Sequence, residues 1–309
     1  MMKIVILTPA FKRVGSVLGA FIFAKYLHEQ DHDVVITALD ADEHGPSSLL
    51  DEVLGAGVPF YNFEMTGWTG LRRIGRVRSY VKDNGIDAVV SYGLRPDIVN
   101  SCLSRVGRLS AIREILRDQY ALSYGWLLSR LGAELHLRAL KKLDGIFVLN
   151  RDMATHLAEN GINPSLIHLV NNFVDVAEIR KNARDGDRRP NDYVHVGYFG
   201  RLIRRKRVDI ALHAVHKLVY RHAHRNIKFH VAGDGPLHHK LSRLTKELGL
   251  SEQTIFHGHL SNPLDLMKKM DLIVLTSDRE GTPRCLLEAM SLGKTCIASD
   301  IPGMSELIR

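Results

Sequence analysis

Short aliphatic runs alternate with longer amphipathic stretches through the first half of the chain. The runs, such as KIVILT at 3–8, are apolar at nearly every position, which is typical of strands buried on both faces of a parallel sheet. They predict strands over 3–8, 33–39, 58–61, 87–92, 109–114, 145–150 and 166–170. The stretches between them predict helices over 15–30, 47–56, 68–84, 96–107, 120–143 and 151–160. This alternation predicts an α/β domain over residues 1–175.

A polar, highly charged stretch at 176–192, VAEIRKNARDGDRRPND, interrupts the alternation and is interpreted as a linker. Beyond it, strands are predicted over 193–200, 227–233, 254–258, 271–277 and 294–299. Helices are predicted over 207–222, 236–248, 263–270 and 282–292, and GMSELIR from 303 is expected to begin another. We therefore expect two doubly wound, Rossmann-like α/β domains, 1–175 and 193–309, facing across a cleft. Such domains bind ligands beyond the carboxyl ends of their strands.

The overall composition narrows the class of protein. The 309 residues include 42 Lys and Arg against 34 Asp and Glu, a formal net charge of +8. This surplus suits anionic partners, although a modest positive excess also occurs without any specific partner. Cys102, Cys285 and Cys296 form no CxxC pair, which favours a reduced, cytoplasmic protein over a zinc protein. No apolar run reaches the roughly 18 residues of a membrane span, so we expect at most peripheral membrane contact.

The segment GRLIRRKRVD, 200–209, places five cations in the loop after a predicted strand. Helix N-termini at such positions favour anions, and Arg and Lys together suit a diphosphate. Gly200 ends the strand, and Arg201 and Lys206 are the candidate phosphate ligands. The other three cations of the loop are interpreted as a solvated charged surface.

Two further strand ends carry candidate ligand contacts. In VAGDGP, 231–236, Gly233 and Gly235 would let the backbone approach a ligand closely, although many βα loops look like this one. HGHL, 257–260, contains His259 and Leu260, and its histidines lack the spacing of metal ligands. No metal site is predicted.

The segment SDREGTPRCLLEAMSLG, 277–293, contains two glutamates eight positions apart. Thr282 is expected to cap a helix whose first position is Pro283, so that backbone N–H groups near 282–286 could bind a phosphate or an oxyanion. Glu280 lies in the bend before the helix. Glu288 lies one turn beyond Arg284, which is compatible with an ion pair between them or with a carboxylate that binds two vicinal hydroxyls. The spacing leaves both options open.

These segments resemble the retaining glycosyltransferases of family 4, which have the GT-B fold. EGTPRCLLEAMSLGKTCIASDIPGMSELI resembles the family's E-x7-E region, and GYFGRLIRRKRVDIALHAV resembles its GRL-x3-K segment. VAGDGP, VNNFVDVAEI and RVGSVLGAFIFAKYLHEQDHDVVI resemble its G-x-G-P loop, its hinge and its first loop and helix. The five matches occur in the family's order and cover most of the chain.

The resemblance implies a role for each matching residue. Arg201 and Lys206 would hold the donor diphosphate, Glu280 would contact the transferred sugar near the reaction centre, and Glu288 would bind the nucleotide ribose. The remaining implied contacts are the backbone of Gly281, Thr282, Pro283, Arg284 and Cys285 for sugar and phosphates, His259 and Leu260 for the base, and the loop at Gly15 for closure over the diphosphate.

The chain also departs from the family pattern. Gly15 is followed by Ser16 where many members have a second glycine, and Arg113 and Glu114 stand where many have a histidine. Relatives usually continue with another strand and helices beyond the position of Arg309, so we expect the last elements of the second domain to be missing.

The function implied is transfer of a hexose-type sugar from a nucleoside diphosphate sugar to an acceptor hydroxyl, with retention of configuration and without a metal or other cofactor. The acceptor would be a glycan or a lipid-linked molecule, reached in the cytoplasm or at the inner face of an anionic membrane. The alternatives are a catalytically weak nucleotide-sugar-binding protein and a GT-B nucleotide-sugar epimerase. GLRRIGRVRSYVK, 70–82, is the best basic stretch for lipid or nucleic acid, but we interpret it as a solvated helix face and expect no nucleic-acid partner.

Overall fold

The computed structural model describes residues 1–11, 15–40, 49–65, 73–112, 125–183, 193–224 and 226–308. The chain divides into two compact units, Met1–Asn172 and Phe173–Arg309. Each unit is built on its own sheet, and all strand pairs in both sheets are parallel. Arg113 and Glu114 lie outside the described residues.

The first unit has a seven-stranded sheet with the order β3-β2-β1-β4-β5-β6-β7. Its strands are β1 Lys3–Thr8, β2 Asp33–Ala38, β3 Phe60–Asn62, β4 Ala88–Ser91, β5 Gly107–Ile112, β6 Gly145–Val148 and β7 Ile167–Leu169. Its helices are α1 Gly15–Glu29, α2 Leu50–Gly55, α3 Ile74–Asp83, α4 Leu94–Ser101, α5 Gly125–Leu140 and α6 Arg151–Glu159.

Strand β1 shows why the predicted strands are apolar at nearly every position. Ile4 and Ile6 pack with Ala20 of α1, whereas Val5 and Leu7 pack in a second cluster together with residues of α3 and α4. Successive side chains of a strand point to opposite faces of the sheet, so both faces of this strand must be apolar when helices cover both.

The second unit has a five-stranded sheet with the order β10-β9-β8-β11-β12. Its strands are β8 Val194–Phe199, β9 Ile227–Ala232, β10 Thr254–Gly258, β11 Leu272–Leu275 and β12 Thr295–Ala298. Its helices are α7 Val176–Asn182, α8 Val208–Arg221, α9 His238–Glu247, α10 Leu264–Lys268 and α11 Arg284–Ser291. The strand order reverses between β8 and β11, and a ligand crevice forms at the carboxyl ends of strands at such a switch point.

The structure corrects three sequence predictions. The first part of the predicted linker is α7, which begins because Asp175 accepts a hydrogen bond from the Glu178 N–H at 2.9 Å; 184–192 lie outside the described residues. Helix α4 ends at Ser101 rather than near 107, and Arg105, at φ +63°, has a conformation that no α-helix contains. Residues 302–307 form turns instead of the expected helix.

Candidate active site

The loops that follow β8 and β11 bring a lysine and a glutamate together at the switch point. The Lys206 Nζ atom lies 2.5 Å from Oε1 of Glu280, with side chains 12% and 7% exposed. We name the segment Arg201–Arg207 the cationic loop; it includes a short 3-10 helix, Arg204–Lys206. Strands β8 and β11 are hydrogen-bonded neighbours, so the loops at their carboxyl ends start side by side. The strand order therefore unites two motifs that are distant in sequence.

The loops after β8, β9 and β10 approach one another closely at glycines. Gly233, at φ +137°, lies so close to the cationic loop's start that an added Cβ would overlap the carbonyl oxygen of Gly200. A Cβ on Gly235 would lie 2.6 Å from the carbonyl oxygen of Leu202. The N–H of Leu202 donates to the Asp234 carbonyl at 2.9 Å. The close contact between the loops by itself explains why glycine is needed at both positions. That these glycines also contact a ligand stays a prediction.

The helix after Glu280 begins slightly later than the sequence suggests. Arg284 is its first residue and Pro283 its N-cap, with no side-chain cap hydrogen bond, so Thr282 lies before the cap instead of forming it. The N–H groups of Leu286 and Leu287 donate to the carbonyl of Pro283 at 3.1 and 3.4 Å. Arg284 and Cys285 are the first two residues of the helix, and their N–H groups come before the first of these hydrogen bonds. Within the predicted span 282–286, these are the N–H groups at the helix N-terminus.

Glu288 makes one of the two contacts that its spacing allows. The Arg284 Nε–H donates to Oε1 of Glu288 at 2.7 Å, with side chains 23% and 16% exposed. The structural ion pair is therefore present, and the ribose contact stays a prediction.

The base region predicted after β10 is polar and accessible. His259 is exposed and Leu260 is half-buried. The carboxyl of Asp234 lies nearby: the N–H of Gly235 lowers its pKa, and His238 and His259 contribute in the same direction. Arg201 is exposed at the start of the cationic loop. Gly15 is the first residue of α1, and the preceding residues 12–14 lie outside the described ranges.

Two family models match the chain in succession. Residues 22–172 match the glycosyl transferase 4-like domain, and residues 179–309, which contain the Lys206–Glu280 pair, match the glycosyl transferases group 1. The chain is a glycosyltransferase, and its residues 179–309 belong to group 1.

Relatives of the glycosyltransferase include the O-antigen biosynthesis glycosyltransferase WclY of Escherichia coli, 24% identical over 77% of this chain and 67% of WclY. The lipopolysaccharide 1,6-galactosyltransferase of Escherichia coli K12 is 25% identical over 70% of this chain and 59% of that protein. The chain therefore spans about two thirds or less of these relatives' own lengths. A crystal structure of Anabaena HepE in complex with UDP-glucose matches 100% of this chain and 83% of that chain, with a TM-score of 0.80 and 19% identity. This likeness confirms the predicted GT-B fold.

Cys285 lies among the charged residues of the candidate site. Burial raises the pKa of its thiol to about 12; the Glu280 and Glu288 carboxylates act in the same direction and Lys206 opposes them. A protonated thiol is a poor nucleophile. The Cys285 side chain packs against the hydrophobic core of the second unit, and a ligand contact of its backbone N–H stays a prediction.

The basic stretch of α3 is tied to its own unit. The guanidinium groups of Arg73 and Arg76 donate to the carbonyls of Glu64 and Phe63 at 3.1 and 3.4 Å. Arg78 donates twice to the carbonyl of Cys102, at 3.1 and 2.9 Å. These contacts give all three arginines backbone partners within their own unit.

A groove of about 820 Å³ lies between β3 and α3 in the first unit, lined in part by Tyr61, Asn62, Arg76 and Tyr80. It contains none of the predicted donor residues. Several of its polar groups have partners within the unit: the Asn62 side chain accepts from the Glu64 N–H at 2.9 Å, and Asn84 donates to the Tyr80 carbonyl at 2.8 Å.

Two residues that sequence reasoning missed bond to the cationic loop, namely Tyr198 and Thr276. A tyrosine within an apolar strand was the available signal, because a buried phenol needs a hydrogen-bond partner. Among the described residues, no group of three or more His, Cys, Asp and Glu could hold a metal ion, and no described helix is long and apolar enough to cross a membrane.

Proposed function

We propose that the protein transfers a hexose-type sugar from a nucleoside diphosphate sugar to an acceptor hydroxyl, with retention of anomeric configuration and without a metal ion. The contact between Lys206 and Glu280 at the switch point carries this proposal. It places a cation, suited to a diphosphate, beside a carboxylate, suited to sugar hydroxyls.

Charge development explains the need for the cations. The diphosphate gains negative charge as the glycosidic bond breaks, so groups that bind it more tightly in the transition state accelerate the step. Lys206 and Arg201 supply positive charge from the protein, and the first N–H groups of α11 add donors. With these groups a divalent cation is dispensable, and we expect activity in EDTA.

Retention is proposed without a protein nucleophile. Glu280 and Glu288 each form an ion pair, with Lys206 and Arg284 respectively, and Cys285 holds a protonated thiol. The acceptor would then attack from the face that the diphosphate leaves, through an oxocarbenium-like transition state. Glu280 would bind the sugar and Glu288 the ribose.

The acceptor is proposed to be a cell-envelope glycan or its lipid-linked precursor, at the cytoplasmic face of a membrane. The relatives named for O-antigen and lipopolysaccharide synthesis support the acceptor class, and the net charge of +8 supports contact with an anionic surface. Sedimentation with anionic and neutral vesicles tests the surface contact.

The test of the whole proposal starts with a thermal-shift screen of UDP-, GDP- and ADP-hexoses, because a bound donor raises the melting temperature. The best donor is then incubated with candidate acceptors in EDTA, and the anomeric configuration of the product is read by NMR. A product of retained configuration, absent with Glu280→Gln, supports the proposal. An absolute requirement for Mn²⁺ or an inverted product contradicts it, and donor binding without transfer favours the nucleotide-sugar-binding protein.

A further inference from the structure

Two side chains outside the predicted site bond to the backbone at the two ends of the cationic loop. The Tyr198 hydroxyl donates to the carbonyl of Arg201 at 3.1 Å. The Thr276 hydroxyl donates to the carbonyl of Arg207 at 2.7 Å. The segment between these bonds carries both Arg201 and Lys206.

Tyr198, a residue of strand β8, supports the start of the cationic loop. It is fully buried in β8, and burial raises the pKa of its phenol, so the hydroxyl remains a hydrogen-bond donor. A Cβ on Gly200 would lie 3.1 Å from the Tyr198 hydroxyl oxygen, which shows how closely the chain turns over the ring. The loop's start therefore rests on the sheet.

Thr276 holds the end of the loop in an unfavourable conformation. Arg207 is left-handed, at φ +46° and ψ 43°, a conformation that is unfavourable for a residue other than glycine. The Thr276 hydroxyl bonds to Arg207 itself, and the Asp278 N–H donates to the Arg205 carbonyl at 2.9 Å. Thr276 and Asp278 belong to the segment that leads to Glu280. One segment thus carries the carboxylate and fixes the loop that carries its cation.

We propose that Tyr198 and Thr276 are positioning residues for the donor diphosphate, an inference that rests on the proposed function. Their hydroxyls hold Arg201 and Lys206 in place before the diphosphate binds. If one of the two hydrogen bonds is removed, the cationic loop is less ordered before the diphosphate binds. Binding then becomes weaker because it must also order the loop, which lowers the loop's entropy. Loss of either hydroxyl should not change how the nucleoside portion of the donor binds.

Near-isosteric variants test the proposal. Thr276→Val and Tyr198→Phe remove one hydroxyl each, and Thr276→Ser retains it. Calorimetric titration with UDP and UMP, and with the GDP/GMP and ADP/AMP pairs, identifies the base that the wild type binds best. For that pair, losing one hydrogen bond should weaken diphosphate binding about three- to tenfold, with monophosphate binding within about twofold and Thr276→Ser close to wild type. The donor KM should rise more than kcat falls.

Hydrogen–deuterium exchange of 201–207 gives a readout that needs no ligand. Uptake should rise in Thr276→Val and Tyr198→Phe, and remain at the wild-type level in Thr276→Ser. Unchanged uptake in both hydroxyl-deleted variants overturns the inference, even in an active enzyme. Equal loss of mono- and diphosphate binding with a lowered melting temperature also overturns it, because that pattern reports general destabilisation. A wild type that binds no nucleoside diphosphate refutes the proposed function, and the inference with it.

Discussion

Lys206 and Glu280 form a close, mostly buried ion pair between the loops after β8 and β11. The pair exists because these strands are neighbours at the point where the sheet order reverses. A donor diphosphate that binds Lys206 would compete with the Glu280 carboxylate for the same ammonium group. The pair therefore couples the phosphate and sugar portions of the proposed donor.

Replacing the carboxylate should separate binding from transfer. Glu280→Gln is expected to abolish transfer while binding the nucleoside diphosphate about threefold more tightly, because Lys206 loses a competing charge. Titration calorimetry and a donor-consumption assay measure the two effects. Weaker diphosphate binding in this variant would contradict the competition.

Removing the cation should have the opposite effect on binding. Lys206→Ala is expected to weaken nucleoside diphosphate binding by about tenfold or more, since a charged hydrogen-bonding partner is lost and Glu280 is left buried without its cation. Arg204→Ala is the matched control, because Arg204 is an exposed cation of the same loop. Equal effects of the two substitutions would show that net charge alone, rather than the Lys206 position, attracts the nucleotide.

A side chain at Gly233 should disrupt the loops at the carboxyl edge. Gly233→Ala would place a Cβ onto the Gly200 carbonyl, so we expect a loss of unfolding free energy above about 2 kcal/mol together with lost nucleotide binding. Gly258→Ala is the control, because Gly258 also has a positive φ, +66°, but no atom lies within 4 Å of the added Cβ. The control should cost only about 1 kcal/mol of backbone strain. Chemical denaturation measures both, and similar losses would refute the overlap.

A buried contact between a histidine and an aspartate stabilises the first unit. His136 Nε2 lies 2.6 Å from Oδ2 of Asp97, each side chain is 1% exposed, and the Ser91 hydroxyl donates to the other oxygen at 2.6 Å. His136→Leu should lower the unfolding free energy by about 3–5 kcal/mol, because it leaves a buried carboxylate without its partner. Urea denaturation followed by circular dichroism measures the loss.

The same helix provides the control for that prediction. Arg138 pairs with Glu134 on the surface of α5, with side chains 69% and 56% exposed. Arg138→Ala should change the unfolding free energy by less than about 0.5 kcal/mol. A His136→Leu protein as stable as the control would show that the buried pair contributes no net stability.

The second unit should lose stability in mild acid. His195, His230 and His257 form a chain across β8, β9 and β10 through two nitrogen–nitrogen contacts of 2.9 Å. Burial lowers the pKa of His257 below its ordinary 6.5, so the unfolded chain binds this proton more readily than the folded one. The contribution of neutral His257 to the stability of the fold is fully present above pH 6.5. It is lost as the pH falls below 6.5 toward the pKa of His257 in the folded protein.

Melting temperatures measured across this pH range check the prediction. His257→Gln should flatten the decline in acid, whereas His239→Gln, at an exposed position, should leave the wild-type pH dependence in place. Identical pH profiles of the wild type and His257→Gln would exclude His257 as the titrating group.

Part of the fold was predictable because its causes are local. The apolar run 3–8 coincides with β1, since every residue of a strand covered on both faces must tolerate burial. Helix α7 was missed because the charged composition of 176–192 outweighed a single N-cap, Asp175, and a single buried residue, Ile179. Composition averaged over a window hides a helix of seven residues.

The sequence by itself determined the strand and helix pattern, the family motifs and the residue types of the site, because periodicity and motif spacing depend on neighbours along the chain. Only the tertiary structure decided which groups meet. In the structure Lys206 forms an ion pair with Glu280, Gly233 lies against the backbone of Gly200, and Arg284 forms an ion pair with Glu288. It also revealed Tyr198 and Thr276 at the ends of the cationic loop. Most of these contacts join segments distant in sequence, and strand order and loop packing, which no local pattern encodes, determine them.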